Sequence, residues 1–222
     1  MNKSILSFCT LLILLVSCKS EKKITPVKED TILEKVAKAH GFDEWNKVKE
    51  IRFTFNVDRD TMHFERSWVW STKSQEVQGI SNGDTIAYNR NAVDSLAIKA
   101  DGAFINDKFW LLAPINILWD QNSLSYTFEE TALAPISNDS LPKLTVVYGD
   151  DGGYTPGDAY DFYLGDDYTI KEWIFRRGNS LEPGSAATWE GYENINGLNL
   201  SKMHKNKEGN FSLYFTDVEV VK

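Results

Sequence analysis

The chain has 222 residues, of which 42% are hydrophobic and 25% charged, with 24 Lys and Arg against 32 Asp and Glu. This composition is typical of a folded globular protein and excludes collagen-like, disordered and polytopic membrane proteins. A formal charge of −8 repels phosphate backbones, so nucleic acid is not an expected partner. Both cysteines lie within the first 18 residues, which excludes a disulfide or a cysteine-ligated zinc from the rest of the chain.

The N-terminus has the pattern of a lipoprotein signal peptide. Lys3 precedes an apolar stretch at 5–16, which is too short to cross a bilayer as a helix and fits a secretory leader. The stretch ends in a Leu-Val-Ser-Cys run that resembles the bacterial lipobox, with small Ser17 before Cys18. We therefore expect the Cys18 thiol to carry the diacylglycerol.

These features predict three segments: a signal peptide at 1–17, a lipidated tether at 18–29 and one domain at 30–222. Acyl chains on Cys18 would anchor the protein to a membrane. Lys19 follows the cysteine where an aspartate would favour the inner membrane, so we expect the outer membrane. The tether lacks an acidic surface-export cluster, which favours the periplasmic face, with the cell surface as the alternative.

The domain is expected to open with an amphipathic helix. Thr31 and Glu34 have the spacing of a capping box, and Ile32 and Val36 recur at helical spacing. Gly41 is typical of a helix C-terminus. A second short turn is predicted at 43–48.

From residue 51 the hydrophobic period changes to two, which predicts antiparallel strands joined by short turns. The first two strands are separated by Arg59-Asp60, which predicts a tight hairpin, and Arg66 interrupts the apolar side of the second strand. No helical pattern separates the later strands, which excludes a parallel α/β sheet. The predicted strands are 51–57, 62–70, 75–81, 84–90, 124–129, 143–149, 159–164, 168–177, 186–193, 197–204 and 211–220.

One apolar segment, 102–120, interrupts this meander. Ile105, Phe109 and Leu112 form one helical stripe, and further apolar residues surround it on nearly all sides. A helix that is apolar all round is either enclosed or covers something. Pro114 is expected to end or kink it.

Three short motifs suggest a family. They are the Ala-His-Gly helix end at 39–41, the Phe-Trp-Leu-Leu-Ala-Pro run at 109–114, and Tyr-Thr-Ile-Lys-Glu-Trp at 168–173. Together with the lipobox, this arrangement resembles the LolA/LolB-like lipoprotein-sorting folds, and the Bacteroidetes lipoproteins that share them. The family's groove arginine is not matched to one position: the candidates are Arg52, Arg59 and Arg66.

The resemblance implies a mainly β (α+β) domain. It would be an open, curved antiparallel half-barrel of about 10–11 strands, with an N-terminal helix and a second helix packed in its concave face. In the LolA/LolB family that concave side is a hydrophobic groove for acyl chains.

The sequence carries no catalytic signature such as H-E-x-x-H, G-x-S-x-G or a P-loop, so we expect a protein that is not an enzyme and uses no cofactor or metal. His40 lies near a helix C-terminus, where positive charge is favoured. His63 and His204 fall on the polar side of their strands.

Two alternatives use the acidic residues. The aspartate-rich stretch at 144–170 has the oxygen ligands that Ca²⁺ prefers, although Asp and Gly are also ordinary turn formers. A glycosidase would need two carboxylates that meet, and Glu65, Glu172 and Glu190 all lie in predicted strands.

The positions of the aromatic residues distinguish between two possible functions. In the first, a non-catalytic, membrane-anchored lipoprotein holds an acyl chain, lipid or lipoprotein in a concave groove. In the second, exposed aromatic rings bind a glycan or a protein partner in the cell envelope. Tryptophans that line an enclosed concavity favour the first function. The candidate groove residues are Trp68, Trp70, Phe104, Trp110, Leu111 and Trp173.

Overall fold

A computed structural model describes residues 29–182 and 184–222. This part of the chain is mainly β, as predicted, and contains twelve strands rather than ten or eleven. The strands are β1 (Glu50–Arg59), β2 (Met62–Ser71), β3 (Glu76–Ser81), β4 (Asp84–Asn89), β5 (Leu124–Leu133), β6 (Ser140–Tyr148), β7 (Ala159–Leu164), β8 (Ile170–Arg176), β9 (Ser185–Thr188), β10 (Glu190–Ile195), β11 (Leu198–Lys205) and β12 (Phe211–Val221).

The N-terminal helix α1 (Ile32–Ala39) has the predicted cap at each end. The Thr31 hydroxyl accepts a hydrogen bond from the Glu34 amide at 3.2 Å, and the Glu34 carboxylate accepts one from the Thr31 amide at 2.6 Å. Gly41 has φ +88°, and a Cβ there would lie 2.1 Å from a backbone oxygen of the β10–β11 turn. A 3₁₀ helix, Phe42–Lys47, occupies the place of the predicted second turn.

The second helix, α2 (Ile98–Trp119), is longer than predicted at its N-terminus. It continues through Pro114, so of the two expected outcomes, an end or a kink, the helix end does not occur. Ile115 and Ile117 beyond the proline are fully buried, and their burial outweighs the loss of one backbone hydrogen bond. Among the described residues, no helix combines the length and the apolar character that a membrane span requires.

The strands form two antiparallel sheets. Sheet A has the order β10-β11-β12-β1-β2-β3-β4, and sheet B has the order β5-β6-β7-β8-β9. Neither sheet closes on itself, which agrees with the predicted open half-barrel. The α2 helix connects β4, at one edge of sheet A, to β5, at one edge of sheet B.

The chain also changes sheets at Trp189. The Trp189 amide donates to the carbonyl of Lys171 in sheet B at 2.7 Å, while the carbonyl of Glu190 accepts from the Ser201 hydroxyl in sheet A at 2.8 Å. The predicted strand at 186–193 is therefore two strands in different sheets. This division accounts for the larger strand count.

The α2 helix packs between the two sheets, as expected for a helix in the concave face. Phe109 and Ala113 lie in the core on the side of sheet B, whereas Leu112 and Ile115 lie in the core on the side of sheet A. Trp110 packs against both cores. The helix is apolar nearly all round because it has a sheet on each side.

Candidate functional site

A cavity of about 880 Å³ lies beside α2, where the loops of sheet B approach the hairpin ends of sheet A. Phe109 and Trp110 of α2 and Trp173 of β8 line its inner end. Its volume is within the range of pockets that enclose one small ligand, about 300–1,000 Å³. The cavity is thus large enough for one ligand, but not for a folded partner.

The aromatic rings at the inner end hold one another in place. The Phe109 ring stacks on the Tyr154 ring with centroids 3.7 Å apart and planes 2° from parallel. Trp110 meets Trp173 edge to face at 4.4 Å, and Phe109 lies 5.0 Å from Tyr160. Such contacts stabilise the rings beyond simple burial. The result is a rigid aromatic wall, in which Phe109 and Trp173 are only 1% and 2% exposed and Trp110 is half-buried.

One polar atom at this surface has no partner. Trp173 is 2% exposed, and its indole nitrogen makes no hydrogen bond within the described residues. A buried donor without an acceptor is unfavourable by about 1–3 kcal/mol.

The mouth of the cavity is built from two hairpins and one loop. Arg59 closes the β1–β2 hairpin, Lys207 lies in the β11–β12 hairpin, and Arg177 follows β8. The Asp60 amide donates to the carbonyl of Asn210 at 3.0 Å, which ties the two hairpins together. The mouth is therefore polar and cationic, whereas the inner end is aromatic.

Of the six predicted groove residues, two line the cavity and four do not. Trp110 and Trp173 line the cavity. The other four are buried in the core between α2 and sheet A, away from the cavity. There Phe104 meets two tryptophan rings edge to face at 5.4 and 5.7 Å. Cys18 lies outside the described residues, as do the predicted signal peptide and most of the tether. The four core residues are Trp68, Trp70, Phe104 and Leu111.

A buried ion pair ties β2 to α2. Arg66 donates to the Asp107 carboxylate through Nε at 2.7 Å and Nη2 at 2.6 Å, and the Trp68 indole donates to it at 2.8 Å. Burial raises the pKa of Asp107, and the Arg66 guanidinium offsets this only in part. This pair explains why Arg66 interrupts the apolar side of β2, since its side chain reaches α2.

The next residue on α2 is a buried lysine that the sequence analysis did not single out. Lys108 donates to the side-chain oxygen of Asn116 at 2.9 Å, and its amine lies 5.5 Å and 5.3 Å from the ring centroids of Trp70 and Trp119. Burial lowers the pKa of Lys108 to about 7. It does not line the cavity.

The prediction that His204 lies on a polar side is wrong, because its side chain is fully buried against Trp110 and Trp189. Burial lowers the pKa of His204 to about 3. Burial also lowers the pKa of His40 to about 4, so desolvation outweighs the helix dipole and the expected positive charge is absent. His63 is exposed, and its hydrogen bond with neighbouring Asp58 raises its pKa.

Two acidic residues that the sequence offered for catalysis or metal binding, Glu172 and Asp161, make structural contacts. The Glu172 carboxylate accepts backbone N–H groups from Ile136 and Ser137 at 2.7 and 2.9 Å. In the aspartate-rich stretch, Asp161 pairs with Arg176 at 2.9 Å. Across the described ranges, no three His, Cys, Asp or Glu side chains gather in a metal-binding arrangement.

No protein-family model and no curated protein matches the chain. Among solved structures, a DUF1329 family protein from Desulfovibrio piger is similar, with a TM-score of 0.50, 8% identity, and coverage of 86% of this chain and 94% of that chain. The two chains share a fold.

MucB also matches, more weakly. In its complex with MucA(peri) the TM-score is 0.25 at 10% identity, and in the Pseudomonas aeruginosa MucA/MucB complex it is 0.27 at 10% identity. Each match covers 86% of this chain but only 55% or 56% of the other. The chain therefore spans a little more than half the length of these MucB chains.

Proposed function

We propose that this protein is a non-catalytic lipoprotein that binds one apolar or amphipathic molecule in the cavity beside α2. The observation that carries this proposal is a cavity of about 880 Å³ beside α2 whose inner end is lined by aromatic rings. Its inner end consists of Phe109, Trp110 and Trp173. Removing a ligand from water onto such a surface contributes about 0.8 kcal/mol for each buried CH₂.

The positions of the tryptophans favour this function over glycan binding. None of the seven tryptophans is exposed. The large aromatic side chains that are exposed in the described part are Tyr126 and Phe128 of β5. A row of tryptophans on an open surface, which stacking on sugars would use, does not occur there.

The anchor completes the proposed arrangement. The lipobox predicts acyl chains on Cys18, and we place the domain on the periplasmic side of the outer membrane. Several acyl chains anchor a protein firmly, whereas one alone is marginal. An anchored domain with a ligand cavity is suited to holding a lipid or lipoprotein chain near the membrane.

Native mass spectrometry of the protein extracted from its own membrane tests both parts. We expect the mass of a diacylglyceryl-modified chain together with the mass of one bound hydrophobic molecule. In Cys18→Ala the lipid modification should be lost. A wild-type chain that carries no lipid would contradict the anchor.

A cavity-filling variant tests the site separately. Ala186 of β9 lines the cavity, so Ala186→Trp should abolish uptake of a fluorescent fatty-acid probe while the protein stays folded. Ala132→Trp, on β5 and away from the cavity, is the matched control and should keep uptake. Equal uptake by both variants, or none by the wild type, would contradict the proposed function.

A further inference from the structure

We propose that the ligand is an amphiphile with an anionic head group, a carboxylate or phosphate, held at the mouth of the cavity by Arg59, Arg177 and Lys207. This inference rests on the proposed function, because it assigns the polar end of the molecule whose apolar end occupies the cavity. It follows from the charges at the mouth and from their position relative to the aromatic surface.

The three cations at the mouth lack ion-pair partners. Within residues 29–182 and 184–222, Arg177 and Lys207 make no side-chain hydrogen bond or ion pair, and the guanidinium of Arg59 lies over the Phe211 ring at 5.4 Å. Most other lysines and arginines there pair with a carboxylate, as Arg176 does with Asp161 at 2.9 Å. Unpaired cations at the mouth are therefore available to an external anion.

The carboxylates at the mouth do not neutralise these cations. Asp158 accepts a hydrogen bond from the Gly178 amide at 2.7 Å, so it is committed to the loop. Glu208 also lines the mouth but is exposed and forms no ion pair with a described residue. The mouth thus carries three positive and two negative side chains in a protein whose formal charge is −8.

The cationic mouth and the aromatic inner end recognise opposite ends of the same molecule. A guanidinium presents a planar set of donors that matches a carboxylate or phosphate. The aromatic inner end, at Phe109, Trp110 and Trp173, excludes a charged group and favours an alkyl chain. A free anion would use only the mouth, and a neutral lipid only the interior.

The test compares three probes with the same chain and fluorophore: a fatty acid, its methyl ester and the corresponding alkylamine. The chain used carries Cys18→Ala, so that no acyl anchor requires detergent. We expect the acid to bind about tenfold more tightly than the ester, and the amine most weakly. Raising NaCl from about 50 mM to about 500 mM should reduce the difference between acid and ester.

A charge-matched pair of variants locates the effect. R59Q/R177Q/K207Q should bind the acid no better than the ester, while ester affinity stays within about twofold. K49Q/K73Q/K99Q removes three lysines away from the cavity that also lack ion pairs, and should keep the wild-type preference.

The outcomes separate the two proposals. Equal binding of acid and ester by the wild type, or loss of the preference in both triple variants, would overturn the head-group assignment alone. Displacement of the labelled acid by inorganic phosphate as readily as by an unlabelled fatty acid would also overturn it, because the alkyl chain would then contribute nothing to binding and the mouth would be a free-anion site. If none of the three probes binds, the proposed function fails together with this inference.

Discussion

The two sides of α2 are made of similar residues but differ in packing. Toward sheet A, the Phe104 ring fills the space between Trp68 and Trp70 and also faces Phe53 at 6.5 Å. Toward sheet B, aromatic rings contact one another along the cavity floor and leave about 880 Å³ open beside Trp110. Tryptophan content therefore does not distinguish a filled core from a binding site.

The difference arises from what covers each side. Sheet A curves around α2 and adds the Arg66–Asp107 pair, which attaches the strand to the helix. Near sheet B the covering elements are hairpin ends and loops, including the segment with Arg177, and they stand apart from the helix. Loops at the end of a sheet commonly carry the binding function while the sheet keeps its packing.

The largest effect is expected on the filled side. Phe104 is fully buried, so Phe104→Ala should lower the free energy of unfolding by about 3–5 kcal/mol without changing probe affinity in the molecules that remain folded. Urea denaturation measures the loss. Phe128→Ala, at an exposed ring on β5, is the control and should change stability little. If Phe104→Ala lowers the stability only slightly but abolishes probe uptake, the ligand binds between α2 and sheet A rather than in the cavity.

Breaking the ion pair should have a slightly smaller effect. Arg66→Met leaves Asp107 buried without its cationic partner and should destabilise the fold by about 2–4 kcal/mol. Replacing both residues, as Arg66→Met with Asp107→Leu, should recover much of that loss because neither charge of the pair then remains buried. If the double variant is as unstable as the single one, the pair is not the source of the effect.

On the open side, Trp110→Ala should mainly change binding. Its ring is half-buried and lines the cavity, so we expect a stability loss of about 2 kcal/mol and a clear decrease in uptake of the fatty-acid probe. Phe104→Ala should show the reverse pattern. The comparison fails if the Trp110 and Phe104 variants lose the same stability and neither changes uptake.

Lowering the pH should decrease the stability of the fold, because two buried histidines must lose their neutral environment to bind a proton. His204 and His40 have pKa values lowered from 6.5 to about 3 and about 4, so the unfolded chain binds more protons than the native protein below pH 6.5. The contribution of these two histidines to stability should therefore be fully present well above that pH and decrease below it, with a slope that approaches about 1.4 kcal/mol per histidine for each pH unit. Denaturant titrations between about pH 6.5 and about pH 5.5 measure this slope.

Two substitutions identify the source of that slope. His204→Gln should reduce it by about half, because one of the two buried imidazoles is gone. His63→Gln changes an exposed histidine whose pKa is raised, and it should leave the decline in place. A slope that is unchanged in His204→Gln would mean that His204 is not neutral in the folded protein.

Local features were predictable because nearby residues determine them. The capping box at Thr31 and Glu34 and the hairpin at Arg59-Asp60 depend on contacts a few residues apart. The alternation of Ile51, Phe53 and Phe55 marks the side of β1 that joins the hydrophobic core, although Thr54 and Asn56 on the other side are buried as well. Of the site, the sequence supplied Trp110, Trp173 and, as one of three candidate arginines, Arg59, but not Arg177 or Lys207.

The errors occur where a distant contact outweighs a local pattern. Pro114 stays within α2 because sheets on both sides bury the turns around it. His204 occupies a nominally polar position, but α2 and β9 enclose it. The strand predicted at 186–193 divides at Trp189 because its two halves pair with different sheets.

The sequence by itself determined the predicted lipidation signal, the mainly β class, the helix that is apolar all round and the order of the elements. These follow from composition, hydrophobic period and turn residues, which act over short distances along the chain. Only the tertiary structure decided which aromatic rings form a core and which line a cavity. That outcome depends on how closely hairpin ends and loops approach α2, because an aromatic side chain is equally apolar in a filled space and beside an open one.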